Sequence, residues 1–240
     1  MFYYTQETIN VVTENLIKRF CGDTIFLRGA IDIDGFIYDF LNYDVVYDDF
    51  GTDCLGESAF LSDGKCELMV WRSGKKENIL YPSHTIVLDR NYLLLKNEYK
   101  RRFALAHEAG HIIVDTVLCS TKAQAAFKTE FNTDRFYTFA ELRKILSAKE
   151  YQANLTASAL LMPKGSVISF LKKHIASDKI YVYGENILSN FSKEIIEALA
   201  KYLKVSYSAM YIRLKQLNLF EYKSMDEYVN IDIYREEEIL

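Results

Sequence analysis

Arg101-Arg102-Phe103-Ala104-Leu105-Ala106-His107-Glu108-Ala109-Gly110-His111-Ile112-Ile113-Val114 sets the pattern His-Glu-x-x-His inside an apolar run with helical periodicity. Positions i and i+4 lie about one turn apart on the same helix face, so both imidazoles can reach a single tetrahedral zinc ion. Glu108 projects about a quarter turn away, where it can serve as a general base on water without itself binding the metal. The competing reading is a pair of satisfied core histidines. Burying two imidazoles and a carboxylate in so apolar a segment is costly without a charge partner, and a metal ion is the simplest one.

A zinc ion that hydrolyses a bond needs a third protein ligand and one open position. No histidine follows at the spacing of the His-Glu-x-x-His-x-x-Gly-x-x-His class. Of the two other histidines, His84 falls at a strand edge and His174 at a lysine-rich helix end, both better suited to surface or packing roles. A carboxylate on the next helix is the stronger candidate. Glu150 stands in Lys149-Glu150-Tyr151-Gln152-Ala153-Asn154, with Asn154 one turn later on the same face, placed to fix the tautomer of a ligand imidazole. Spacing alone leaves open that Glu150 is a solvated surface charge. Glu141 already has a capping task with Thr138 in a T-x-x-E box that starts this helix, and Pro163 stops it. Ala153, Ala157, Ser158 and Ala159 would let it pack closely on the His107 helix.

Upstream, Ile9, Val12, Leu16, Ile17 and Phe20 recur at helical spacing between Gln6 and Phe20, and Asp32 offers an N-cap for a short helix to Leu41. From Val45 to Leu88 the pattern changes to short apolar runs (Val45 to Tyr47, Ser58 to Leu61, Cys66 to Trp71, Thr85 to Leu88) that predict strands. Asp63-Gly64 is the expected tight turn of a hairpin between the second and third of these. After Asn97 the chain is almost wholly helical, with Cys119 to Tyr137 a polar connection. Downstream, Ser192 and Ser206 are read as N-caps of two helices carrying Ile195, Ile196, Leu199, Leu203 and Met210, Leu214, Leu217, followed by an acidic tail.

Half of the 240 residues are hydrophobic, enough for a real core, and 29 basic against 33 acidic residues give a charge of −4, which excludes a global footprint for nucleic acid or an anionic membrane. Cys21, Cys54, Cys66 and Cys119 form no CxxC pair and are expected as reduced thiols. With no leader pattern and no membrane-length apolar run, a cytoplasmic location is expected.

Arg102-Phe103-Ala104-Leu105-Ala106-His107-Glu108-Ala109-Gly110-His111 resembles the "RF-x-LAHE-x-GH" signature of the ImmA/IrrE metallo-endopeptidases, and Glu150-x-x-Ala153-Asn154 with Leu160-Leu161-Met162-Pro163 resembles their "E-x-x-AN-x-FA-x-x-LLMP" block. Ile31-Asp32-Ile33 and Thr85-Ile86-Val87-Leu88 match the usual lead-in, so the resemblance covers about residues 30 to 165. Thr156 departs from the phenylalanine usual in that block, which touches helix packing and no ligand. The resemblance implies zinc on His107, His111 and Glu150, with Glu108 as catalytic base. It also implies an intracellular protein substrate, a helix-turn-helix repressor or partner regulator often encoded nearby on a phage or mobile element.

The expected architecture is an α+β, zincin-like metallopeptidase core over residues 1 to 165, comprising N-terminal helices, a small β-sheet and two packed metal-binding helices. Residues 166 to 240 form a C-terminal helical extension packed on that core. Two other functions compete. The helix pair from Ser192 to Leu217, with Lys201, Lys204, Arg213 and Lys215, could be a DNA-binding or regulatory module. The protein could also be a zinc-bearing toxin or sensor, latent until a partner arrives. In either zinc reading Tyr181 or Tyr183 is a candidate oxyanion donor, and an exposed edge of the small sheet a docking strand for peptide.

Overall fold

The computed structural model describes residues 4–22, 29–51, 59–94, 98–118 and 148–228. Thr138, Glu141, Cys54, Cys119, the connection after Cys119 and the acidic tail beyond Tyr228 lie outside them.

Helix α1 (Gln6–Cys21) starts at Thr5, whose hydroxyl accepts from the Thr8 N–H at 3.2 Å, and buries Ile9, Thr13, Leu16 and Ile17 on one face. Helix α2 (Ile33–Gly35) begins at the expected cap, Asp32, which accepts from the Gly35 N–H at 3.1 Å, and continues as a wider π turn over Phe36–Phe40. Strand β1 (Asp44–Asp48) pairs in parallel with β5 (Thr85–Asp89), and β2 (Ala59–Ser62) pairs antiparallel on the other side of β5. β5 is therefore central. All five of its residues are buried, as its unbroken Thr-Ile-Val-Leu run requires of a strand covered on both faces.

The hairpin expected across Asp63-Gly64 is not formed. β3 (Glu67–Arg72) pairs instead with β4 (Lys75–Leu80), around Ser73-Gly74, where both residues take positive φ (51° and 79°) as a two-residue hairpin turn demands. At Asp63 the side chain accepts from the N–H groups of Lys65 and Cys66 at 2.9 and 3.3 Å, an Asx turn that steers the chain out of the first sheet rather than back along it. β4 escapes a hydrophobic-pattern reading because Lys-Lys-Glu-Asn-Ile-Leu is exposed at every position except Ile79.

A short helix α3 (Asn91–Leu94) leads to α4 (Glu98–Ile113), which ends in a π turn at Val114–Leu118. Helix α5 (Ala148–Leu161) lies against α4, and Pro163 breaks the chain there and opens α6 (Lys164–Ile175). Strand β6 (Ile180–Tyr183) precedes α7 (Asn190–Leu203) and α8 (Tyr207–Gln216), and β7 (Phe220–Lys223) returns to pair in parallel with β6. The cap of α7 is Ser189, not Ser192. Ser189 has the extended backbone of a cap and accepts from the Ser192 N–H at 3.1 Å, while the Ser192 hydroxyl donates to the Tyr181 carbonyl. Ser206 caps α8 as expected.

One continuous apolar core joins Leu16 of α1, Ile33 and Phe36, Ile86 and Leu88 of β5, Leu105 and Ile113 of α4, and Leu160 of α5 to Leu171, Ile196, Leu203, Met210 and Leu214 of the later helices. The architecture is α+β, with small sheets flanking a helical body. Among the described residues no helix is long and apolar enough to cross a membrane.

Candidate metal centre

Every residue of α4 from Arg102 to Ile113 is buried, so the His-Glu-x-x-His face points into the molecule against α5. Close approach of the two helices depends on Gly110, where an added Cβ would stand 2.5 Å from the Ala153 carbonyl oxygen. Of the small residues expected at this contact, Ala153 meets Gly110 and Ala157 is buried in the main core, whereas Ala159 packs with Ile9 of α1 and the Ser158 hydroxyl donates to the Gln216 side chain of α8.

At this seam the Nε2 atoms of His107 and His111 face one another 3.1 Å apart. Glu150 reaches across from α5, with Oε2 3.2 Å from His107 Nε2 and Oε1 3.4 Å from His111 Nε2. One donor atom from each of the three residues lies within 4.8 Å of the others, the only such group of His, Cys, Asp and Glu among the described residues. The Asn154 side-chain oxygen is 3.0 Å from His107 Nδ1, within reach to accept a proton carried there. Two imidazole nitrogens and a carboxylate converging from buried positions form a donor set of the kind that holds zinc. The residues fit the ion.

The three side chains are electrostatically coupled. Burial works to raise the Glu150 carboxyl, yet hydrogen bonds and charge from His107 and His111 outweigh it and bring the pKa down to about 2. Burial works to lower His107, and the Glu150 hydrogen bond with the Glu108 and Glu150 charges raises it instead. Glu108 is fully buried, which pushes its carboxyl up, and neither oxygen has a hydrogen-bond partner among the described residues.

The family model of the IrrE N-terminal-like domain, in the M78 peptidases, matches residues 73–215. The chain belongs to the ImmA/IrrE family. This is a metallopeptidase family, and the match encloses His107, Glu108, His111, Glu150 and Asn154. It runs on through α6, α7 and nearly all of α8, further than the motif resemblance, which thinned after Pro163. No curated protein matches the sequence.

Other residues singled out in the sequence lie elsewhere. His84 packs its ring on Tyr43 at 4.8 Å and His174 on Phe170 at 4.1 Å, outside the ImmA/IrrE cluster. Tyr181 lies under the Lys223 ammonium and Tyr183 packs against Tyr228. Cys21 and Cys66 are free thiols. Of the basic set read on the helix pair, Lys201, Lys204 and Lys215 are exposed and Arg213 is not. Arg213 is 1% exposed and turned into the core, Lys201 pairs with Glu197 at 2.9 Å, and Lys215 covers the Tyr211 ring. Two residues beside the cluster escaped the sequence reading, Asp115 and Lys149, which pair across the seam. The i+4 spacing of Asp115 from His111 was the available signal, and nothing in the local sequence marks Lys149.

Proposed function

We propose that this protein is a zinc-dependent endopeptidase in which His107, His111 and Glu150 hold the metal, Glu108 is the general base and Asn154 orients His107. The observation that carries the reading is the convergence of two histidine nitrogens and a carboxylate from two buried helices, with the uncommitted Glu108 beside them. Bound zinc supplies Lewis acidity, which acidifies water and polarises a scissile carbonyl. Glu108 accepts the proton that water loses and later delivers it to the leaving amine. Asn154, by accepting from His107 Nδ1–H, keeps Nε2 unprotonated and aimed at the metal position.

The substrate we propose is a specific intracellular protein, a helix-turn-helix repressor or partner regulator, and the location the cytoplasm; both rest on family likeness. Residues 1 to 165 would carry the chemistry and residues 166 to 240 the supporting helical extension. DNA binding by the helix pair finds no support in the burial of Arg213.

Purified wild type and Glu108→Gln, each loaded with zinc, can be incubated with the regulator encoded beside the gene and followed by gel electrophoresis and metal analysis. Wild type should cleave it. The variant should keep one zinc per chain and lose cleavage by roughly two to four orders of magnitude. Undiminished cleavage by Glu108→Gln would overturn the assignment.

A further inference from the structure

The Asp115 carboxylate meets the Lys149 ammonium at 2.6 Å, with only 9% and 19% of the two side chains exposed. Neither belongs to the donor set, but each is tied to it through its own helix. Asp115 follows His111 by four residues, at the start of the π turn that ends α4, and Lys149 immediately precedes Glu150 on α5. That π turn packs on α5. Such turns displace the residues they contain from regular helical positions and cluster at functional sites.

Glu150 has a demanding task. It must present one oxygen to each of two imidazoles, at 3.2 and 3.4 Å, and it approaches them from a separate helix. Where it arrives depends on how α5 is registered along α4. Two polar ties cross the seam around it. Asn154 binds His107 at 3.0 Å on one side, and Lys149 binds Asp115, one turn beyond His111, on the other. An ion pair this short and mostly buried fixes the separation of the groups it joins, and with it the register of the helices that carry them. Ion pairs this buried add little net stability because desolvation offsets the attraction, and their best-attested use is to fix register.

We infer that Asp115 and Lys149 are positioning residues of the metal centre, an ion pair that sets Glu150 against His111 and thereby tunes metal affinity. The inference rests on the proposed zinc site. Lys149→Met is expected to weaken Zn2+ binding roughly 10–100-fold, as loss of a group supporting a ligand does, measured by competition with a chromophoric chelator. It should also change the visible spectrum of the Co2+-substituted protein. Lys149→Arg keeps the charge and should recover affinity and spectrum. Thermal unfolding of the metal-free proteins separates this from a general loss of fold. If Lys149→Met does not fold, Asp115→Asn, equal in shape, carries the same measurement.

Wild-type affinity and spectrum in both Lys149→Met and Asp115→Asn would overturn the positioning role while leaving the metal centre intact. So would a loss that Lys149→Arg fails to recover. A wild-type chain that takes up no Zn2+ would overturn the metal centre itself, and this role with it.

Discussion

Asp48 ends β1 with its side chain almost wholly buried, and it draws the Tyr81 hydroxyl and the Arg72 guanidinium onto one carboxylate oxygen. These contacts tie the β3–β4 hairpin to the three-stranded sheet. Burial pulls the Asp48 pKa upward, but the hydrogen bonds from Arg72 and Tyr81 outweigh it, and the folded value lies below the ordinary one. Tyr81 answers in the opposite sense, raised to about 12 by burial and by the carboxylate it binds. A depressed carboxyl pKa contributes stability that is present above the unfolded value, near pH 4, and lost as pH falls through the folded value. Asp48→Asn should cost about 1–3 kcal/mol at pH 7. The gap between variant and wild type should narrow as pH falls below about 4, where the unfolded carboxyl takes up its proton first, and go on narrowing until the native carboxyl is protonated at its lower folded value. Urea unfolding at pH 7 and pH 3 checks this, and a gap of constant size would refute it.

At the scale of elements, the seam between α4 and α5 carries the proposed chemistry, and Gly110 sets its width. The Ala153 carbonyl occupies the space a side chain would need, with its oxygen 2.5 Å from the position of an added Cβ. Backbone on one side and a buried helix on the other leave no flexible group to give way. Gly110→Ala should therefore separate the helices, destabilise the metal-free protein by about 1–3 kcal/mol, and weaken zinc binding at the same time. Denaturant unfolding without metal, paired with a zinc titration, reads both effects. Stability and affinity equal to wild type would show that the seam tolerates the methyl group.

The molecule as a whole is held by a core that draws on both sides of Pro163, and Arg213 is its polar counterpart. Fully buried on α8, Arg213 donates to the Met162 carbonyl at 2.9 Å, where α5 ends, and to the Asn10 side-chain oxygen at 2.8 Å on α1. Burial lowers its pKa to about 10, with the Glu14 and Glu7 charges opposing. The last helices thus brace the end of the Glu150 helix. Arg213→Met should cost roughly 2–6 kcal/mol, because each of two buried acceptors left without a donor costs about 1–3 kcal/mol. Asn10→Leu in the same chain should recover part of the loss. Urea unfolding measures both variants, and a single substitution that leaves the midpoint unchanged would contradict this bracing role.

By itself the sequence determined what local chemistry determines. The i and i+4 spacing places His107 and His111 on one helix face, Asp32 and Ser206 cap their helices, and the apolar run at Thr85 to Leu88 makes a strand. These follow from backbone geometry and burial within a few residues. Glu150 was legible as a candidate, but only the packing of α5 on α4 brings its two oxygens to the two histidines. The tertiary structure also decided what short range leaves undetermined. Solvent on both faces hides β4 from a hydrophobic pattern, and pairing between distant segments sends β2 to β5 instead of to its neighbour. Arg213, basic and apt for a surface on its helix, is turned inward by acceptors that come from α1 and α5. The Asp115–Lys149 pair likewise joins two helices, and pairing across a seam has no period along a chain.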